Sequence, residues 1–216
     1  MDYLISVLSR IGIEAFVALS AYFLLIMGRV SFGQQAFFAL GAYAAGIATT
    51  LWGIPFWLGL AVGAAGAAAA AIGFGLPMAR TSGLAFSMGS LAFAELIRIG
   101  LLAFHYRVPV GGELVGPDGA QGFRGIRLLF ASGITPAGYL AGIVLLLGLT
   151  VAGLVLLERS RLGAFFRMVG EDETAAASLG VRVVRVKTLG IALAGALAGT
   201  GGGLFVHLTT YVEPGH

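Results

Sequence analysis

Glu95 and Arg98 stand three residues apart inside a long apolar run, 82–104. On a helix that spacing puts both side chains on one face, where carboxylate and guanidinium can pair. Charges at such depth are expensive in hydrocarbon, so the pair either pins helix packing or lines a path for a polar solute. Gln34 and Gln35 open another apolar run directly after Gly33. Their amides can bridge broken backbone or meet a polar solute. Arg10 and Glu14, four apart near the start of the chain, read as a same-face pair near a membrane boundary, structural or interfacial in role. His207, near the end of the last apolar run, reads as an interfacial histidine.

Covalent and metal chemistry find little support. His105, His207 and His216 are scattered, and Cys is 0, so no metal site and no cofactor is expected. The phosphate-cradling G-x-x-x-x-G-K-[ST] is absent, as are H-E-x-x-H and G-x-S-x-G. No catalytic residues are assigned, and an enzyme is not expected. The net charge of +3 reads as loop asymmetry rather than as nucleic-acid binding.

These polar residues sit in a chain that is 58% hydrophobic and only 11% charged. Soluble domains carry about 25% charged residues. Apolar runs fall at about 6–28, 34–52, 55–78, 82–104, 134–157 and 188–212. Most approach the ~20 residues that cross a ~30 Å hydrocarbon layer. The fold class is therefore an all-α polytopic membrane protein, one domain over 1–216, with about six transmembrane or partly re-entrant helices. Span 34–52 is short and is the candidate for a broken or re-entrant element. With 35 glycines, close helix approach is expected. Gly59/Gly63, Gly195/Gly199/Gly203 and the run Ala64–Ala71 read as packing faces. Loop 105–133 is rich in turn formers, among them Pro109, Gly111, Gly112, Gly116 and Gly119, and reads as functional or disordered.

Connector 158–187 stands out by charge. It holds Arg159, Arg161, Arg167, Arg182, Arg185 and Lys187, with Glu158, Glu171, Asp172 and Glu173. The Lys/Arg bias places it in the cytoplasm, with the loops of Arg29 and Arg80, and puts loop 105–133 outside. Glu171, Asp172 and Glu173 suit the first turn of a helix. Thr174, Ala175, Ala176, Ala177, Ser178 and Leu179 continue it, and Gly180 supplies a left-handed stop. Arg182, Arg185 and Lys187 then lead back to anionic headgroups. A short helix of small side chains suits docking in another protein's groove better than lipid binding.

The connector resembles the cytoplasmic coupling loop of ABC importer permeases, and more narrowly that of the branched-chain amino acid permease family. The matching residues are Arg159-Ser160-Arg161-Leu162-Gly163, then Glu171 to Val181, then Val186-Lys187. Gly28-Arg29-Val30-Ser31-Phe32-Gly33-Gln34-Gln35 and Leu91-Ala92-Phe93-Ala94-Glu95-Leu96-Ile97-Arg98 are similar to two further blocks of that family, and Gly116-Pro117-Asp118-Gly119 to its outer loop. The likeness is to the second of two paired permease subunits.

The resemblance implies a multi-pass protein of the bacterial inner membrane. It implies cytoplasmic ATP-binding subunits, a second permease subunit and a periplasmic or lipid-anchored solute-binding protein as partners, beside membrane lipid and without nucleic acid. Glu171, Asp172, Glu173, Thr174, Ala175, Ala176, Ser178, Leu179 and Gly180 would then couple to the ATPase. Gln34, Gln35, Glu95 and Arg98 would border the translocation path. Gly170 stands where an Arg is common in that family. Members run to roughly 300 residues, so the resemblance also implies C-terminal truncation. The alternative is a secondary transporter or channel for a small polar solute, with Glu95 as its deep carboxylate.

Overall fold

The computed structural model describes residues 2–81, 83–110, 113–126 and 133–214. Gly111, Gly112, Arg127 and His216 lie outside them. In chain order come α1 (Asp2–Ile26), α2 (Gln34–Thr50), α3 (Phe56–Met78) and α4 (Gly83–Ala103), then strands β1 (Val108–Val110), β2 (Glu113–Pro117) and β3 (Phe123–Arg124). There follow α5 (Pro136–Arg159), α6 (Arg161–Glu171), α7 (Glu173–Ser178), α8 (Val183–Thr209) and β4 (Tyr211–Val212).

Helices α1, α3, α4, α5 and α8 are long and apolar enough to cross a membrane. With the shorter α2, they correspond to the six expected spans. Helix α2 has 17 residues, about 26 Å of rise against a ~30 Å hydrocarbon layer. Its shortness has a cause in α4. Ser90 Oγ accepts from the Phe32 N–H at 2.9 Å, and Ser87 Oγ donates to the Val30 carbonyl at 2.7 Å. Ser90 lies about two turns into α4, so the chain descends beside that helix before α2 begins. Non-helical backbone at that depth persists only where protein satisfies it. Serine hydroxyls do so here, not the amides of Gln34 and Gln35, and no side chain caps α2.

Helix α2 is wedged between α3 and α8. A Cβ on Gly41 would overlap Gly199, and one on Gly63 would lie 2.7 Å from the Gly41 carbonyl oxygen. Gly195 and Gly199 seat Ala71 and Ala67, both fully buried. The small-residue spacings and the alanine run thus serve backbone-to-backbone contact, which dispersion rewards in lipid. Two hydroxyls bind further helices to α8: Ser20 Oγ donates to the Ala194 carbonyl at 2.7 Å, and Tyr139 Oη to the Leu204 carbonyl at 2.6 Å. The outer faces of α4 and α5 stay exposed, with Leu84, Met88, Leu96, Leu145 and Leu149.

Loop 105–133 does not remain a plain loop. Its strands form an antiparallel sheet, β1-β2-β3-β4, with Val108 opposite Val115, Gly116 opposite Arg124 and Arg124 opposite Tyr211. Asp118 pairs with Arg107 and lies 3.8 Å from His105. Phe123 and Ile126 are buried against Gly46 of α2. The short, glycine-broken strands hide their alternation, and β4 comes from beyond α8.

Candidate functional site

At the bundle end opposite the sheet, the connector folds as two helices. Ser160 caps α6, accepting from the Gly163 N–H at 3.4 Å. Phe166 and Val169 turn inward from α6. The three acids do not share a first turn. Glu171 ends α6, Asp172 is the cap, and Glu173 begins α7. Asp172 Oδ1 accepts from the Thr174 and Ala175 N–H groups at 2.8 and 3.0 Å, so the backbone break falls between Glu171 and Glu173. Gly180, at φ +81°, supplies the expected left-handed turn after Leu179.

Residues of α7 and its exit divide into two sets. Thr174, Ala175, Ser178, Leu179 and Gly180 are exposed, as are Glu171 and Asp172. Leu179 is 72% exposed. Ala176 is fully buried, and Glu173 is half-buried, its carboxylate set against two buried cations.

The Glu173 carboxylate pairs with Lys187 and lies 3.7 Å from Arg29 Nη2. Both cations are buried, Arg29 to 3% exposure and Lys187 to 1%. Lys187 therefore does not reach headgroups as the sequence suggested. Its Nζ donates to the Ala79 carbonyl at 3.1 Å. Arg29 donates to the carbonyls of Met78 (3.2 Å), Ala79 (3.4 Å) and Thr81 (2.5 Å). The guanidinium also sits 4.5 Å over the Phe86 ring. Carbonyls at the C-terminal end of α3 carry partial negative charge, which suits two cations. Burial lowers the Arg29 pKa, and Glu173 opposes part of that shift. Sequence reasoning had placed Arg29 and Lys187 only as loop charges. The available signal was Lys187 at the head of an apolar run, where burial needs a partner.

Of the four expected path residues only Glu95 and Arg98 are hydrogen-bonded to each other among the described residues; neither glutamine side chain joins them. Gln34 is buried, and its Nε2 has no partner among them. Gln35 is exposed. Glu95 and Arg98 form the predicted pair, Nε–Oε2 2.9 Å and Nη2–Oε1 2.6 Å, on an open face of α4. His207 corrects the sequence reading. It is fully inside, with Nδ1 2.6 Å from the Gly203 carbonyl and Nε2 3.0 Å from Thr49 Oγ1. Close packing at Gly203 and Gly59 brings α8 to α2 and α3 and leaves the ring no route to an interface. Among the described residues no group of three His, Asp or Glu side chains could hold a metal ion.

Residues 3–215 match the family model described as branched-chain amino acid transport system / permease component. The chain is 26% identical, over 231 residues, to the high-affinity branched-chain amino acid transport system permease protein LivM of Escherichia coli (strain K12). It is 27% identical over 233 residues to the protein of the same name from Salmonella typhimurium. Each alignment covers 98% of this chain and 52% of the relative, so the chain spans about half the length of these curated relatives. No solved structure matches it significantly. The chain belongs to the family of branched-chain amino acid transport system permease components.

Proposed function

We propose that this chain is part of a transmembrane permease subunit of an ATP-driven ABC importer for branched-chain or related amino acids. The observation that carries the reading is α7: a short helix with an exposed face of small side chains, seated where α1, α3 and α8 end. Thr174, Ala175, Ser178, Leu179 and Gly180 would enter a groove of a cytoplasmic ATP-binding subunit. A solute-binding protein would meet the sheet end, and a second permease subunit would complete the path. The Lys/Arg bias of the connector supports placing α7 in the cytoplasm.

The path is assigned to the open face of α4 and the head of α2. Glu95 and Arg98 offer one charge of each sign, which suits a zwitterion better than an ion. Gln34 adds an amide whose Nε2 has no partner among the described residues, at the level where the chain breaks before α2. The direct test is co-purification of the full protein with the ATP-binding subunit encoded beside it, followed by uptake of labelled leucine into proteoliposomes. ATP-dependent uptake supports the reading. Proton-driven uptake without any ATP-binding subunit would replace it with a secondary transporter.

A further inference from the structure

We infer that Glu173, Lys187 and Arg29 are positioning residues that fasten α7 to the ends of α1, α3 and α8. Motion of α7 is thereby passed to the buried segment that leads into α2. The inference rests on the proposed ATPase-docking role of α7 only for the origin of that motion.

Three observations carry it. Arg29 and Lys187 are both buried, yet among the described residues the carboxylate that pairs with either is Glu173. Glu173 belongs to α7, Lys187 to α8, and Arg29 to the segment after α1. The carbonyls of Met78, Ala79 and Thr81 then tie both cations to the α3–α4 turn. A buried charge stripped of its partner is strongly unfavourable, so α7 cannot leave this junction and abandon the two cations. It moves with them.

The consequence runs along the chain. Four residues beyond Arg29, Gly33 begins the entry to α2, and Phe32 and Val30 are held by Ser90 and Ser87 of α4. A pull on Arg29 therefore reaches the register of α2 against α4. Glu173 thus faces inward as a linkage, and the exposed neighbours Thr174, Ser178 and Leu179 are left to meet a partner.

The chain has 0 cysteines, so Leu179→Cys gives it a single site for a nitroxide label. In the full protein in liposomes, without ATPase, the label on the otherwise native chain is expected to show the restricted motion of an exposed site on fixed backbone. Glu173→Gln and Lys187→Met are each expected to release it into fast motion, and Glu173→Asp to keep it largely ordered. Label motion unchanged from native in both neutral variants, with normal monodispersity, overturns the fastening. In the reconstituted importer, Glu173→Gln is expected to retain the ATPase yet raise ATP hydrolysed per solute moved several-fold. An unchanged ratio with a freed label overturns the transmission. Absence of any ATPase association in the native protein instead overturns the proposed function and leaves the fastening standing on the label alone.

Discussion

His207 Nε2 lies 3.0 Å from Thr49 Oγ1 and so joins α8 to α2 inside the bundle. The Nδ1 atom, 2.6 Å from the Gly203 carbonyl, must carry a hydrogen to donate there. In the neutral ring Nε2 is then the acceptor, and it shares the single Thr49 hydroxyl hydrogen with the Ala45 carbonyl, 2.9 Å from Oγ1. His207→Leu removes this tie and is expected to lower stability by about 1 kcal/mol, the scale of hydrogen bonds between membrane helices. Thermal unfolding in detergent measures it, and an unchanged melting temperature would refute the role.

Ser90→Ala leaves the Phe32 N–H without its acceptor. A buried unpaired donor costs about 1–3 kcal/mol. The variant is expected to melt a few degrees lower, and hydrogen exchange should rise at segment 30–33 first.

Gly170 has no room for a side chain. A Cβ there would lie 2.5 Å from the Ile26 carbonyl oxygen, so a side chain here would push α6 off α1. Gly170→Ala is expected to destabilise by about 1–3 kcal/mol, the usual penalty of overpacking. Chemical denaturation of the two proteins gives the comparison.

Substitutions at Leu179 and Ala176 distinguish the proposed docking from folding. Leu179→Arg alters an exposed side chain and is expected to weaken ATP-binding subunit association about 30-fold, with unfolding unchanged. Ala176→Arg inserts a charge into a fully buried position and is expected to reduce monodisperse yield before any partner is added. Equal behaviour of the two variants would count against the division of α7 into an inner and an outer face.

Glu95→Leu combined with Arg98→Leu removes both charges from the open face of α4. Both side chains are exposed, so little stability rests on them. Uptake is expected to fall sharply while the melting temperature holds. Undiminished uptake would remove α4 from the proposed path.

Much of this architecture was legible because its signals are strong and local. Apolar run length gave the spans, glycine spacing gave the faces of α3 and α8, and Gly180 marked the end of the exposed helix. What stayed hidden depends on contacts distant in sequence. Nothing near Lys187 says that its ammonium meets Ala79, and nothing near Glu173 distinguishes a partner-facing acid from one turned toward Arg29. In α6, Arg161 and Arg167 dominate the pattern and mask the inward Phe166 and Val169. The acids at 171–173 looked like one helix start, but Asp172 serves as a cap and splits them between two helices.

The pairing of β3 with β4 also orders events during synthesis. Arg124 waits for Tyr211, its partner across the whole of α5 to α8. The sheet therefore stays incomplete until α8 has been made and inserted. Closure of that small cap is reached only by a chain whose α8 has threaded correctly among α1, α2 and α3.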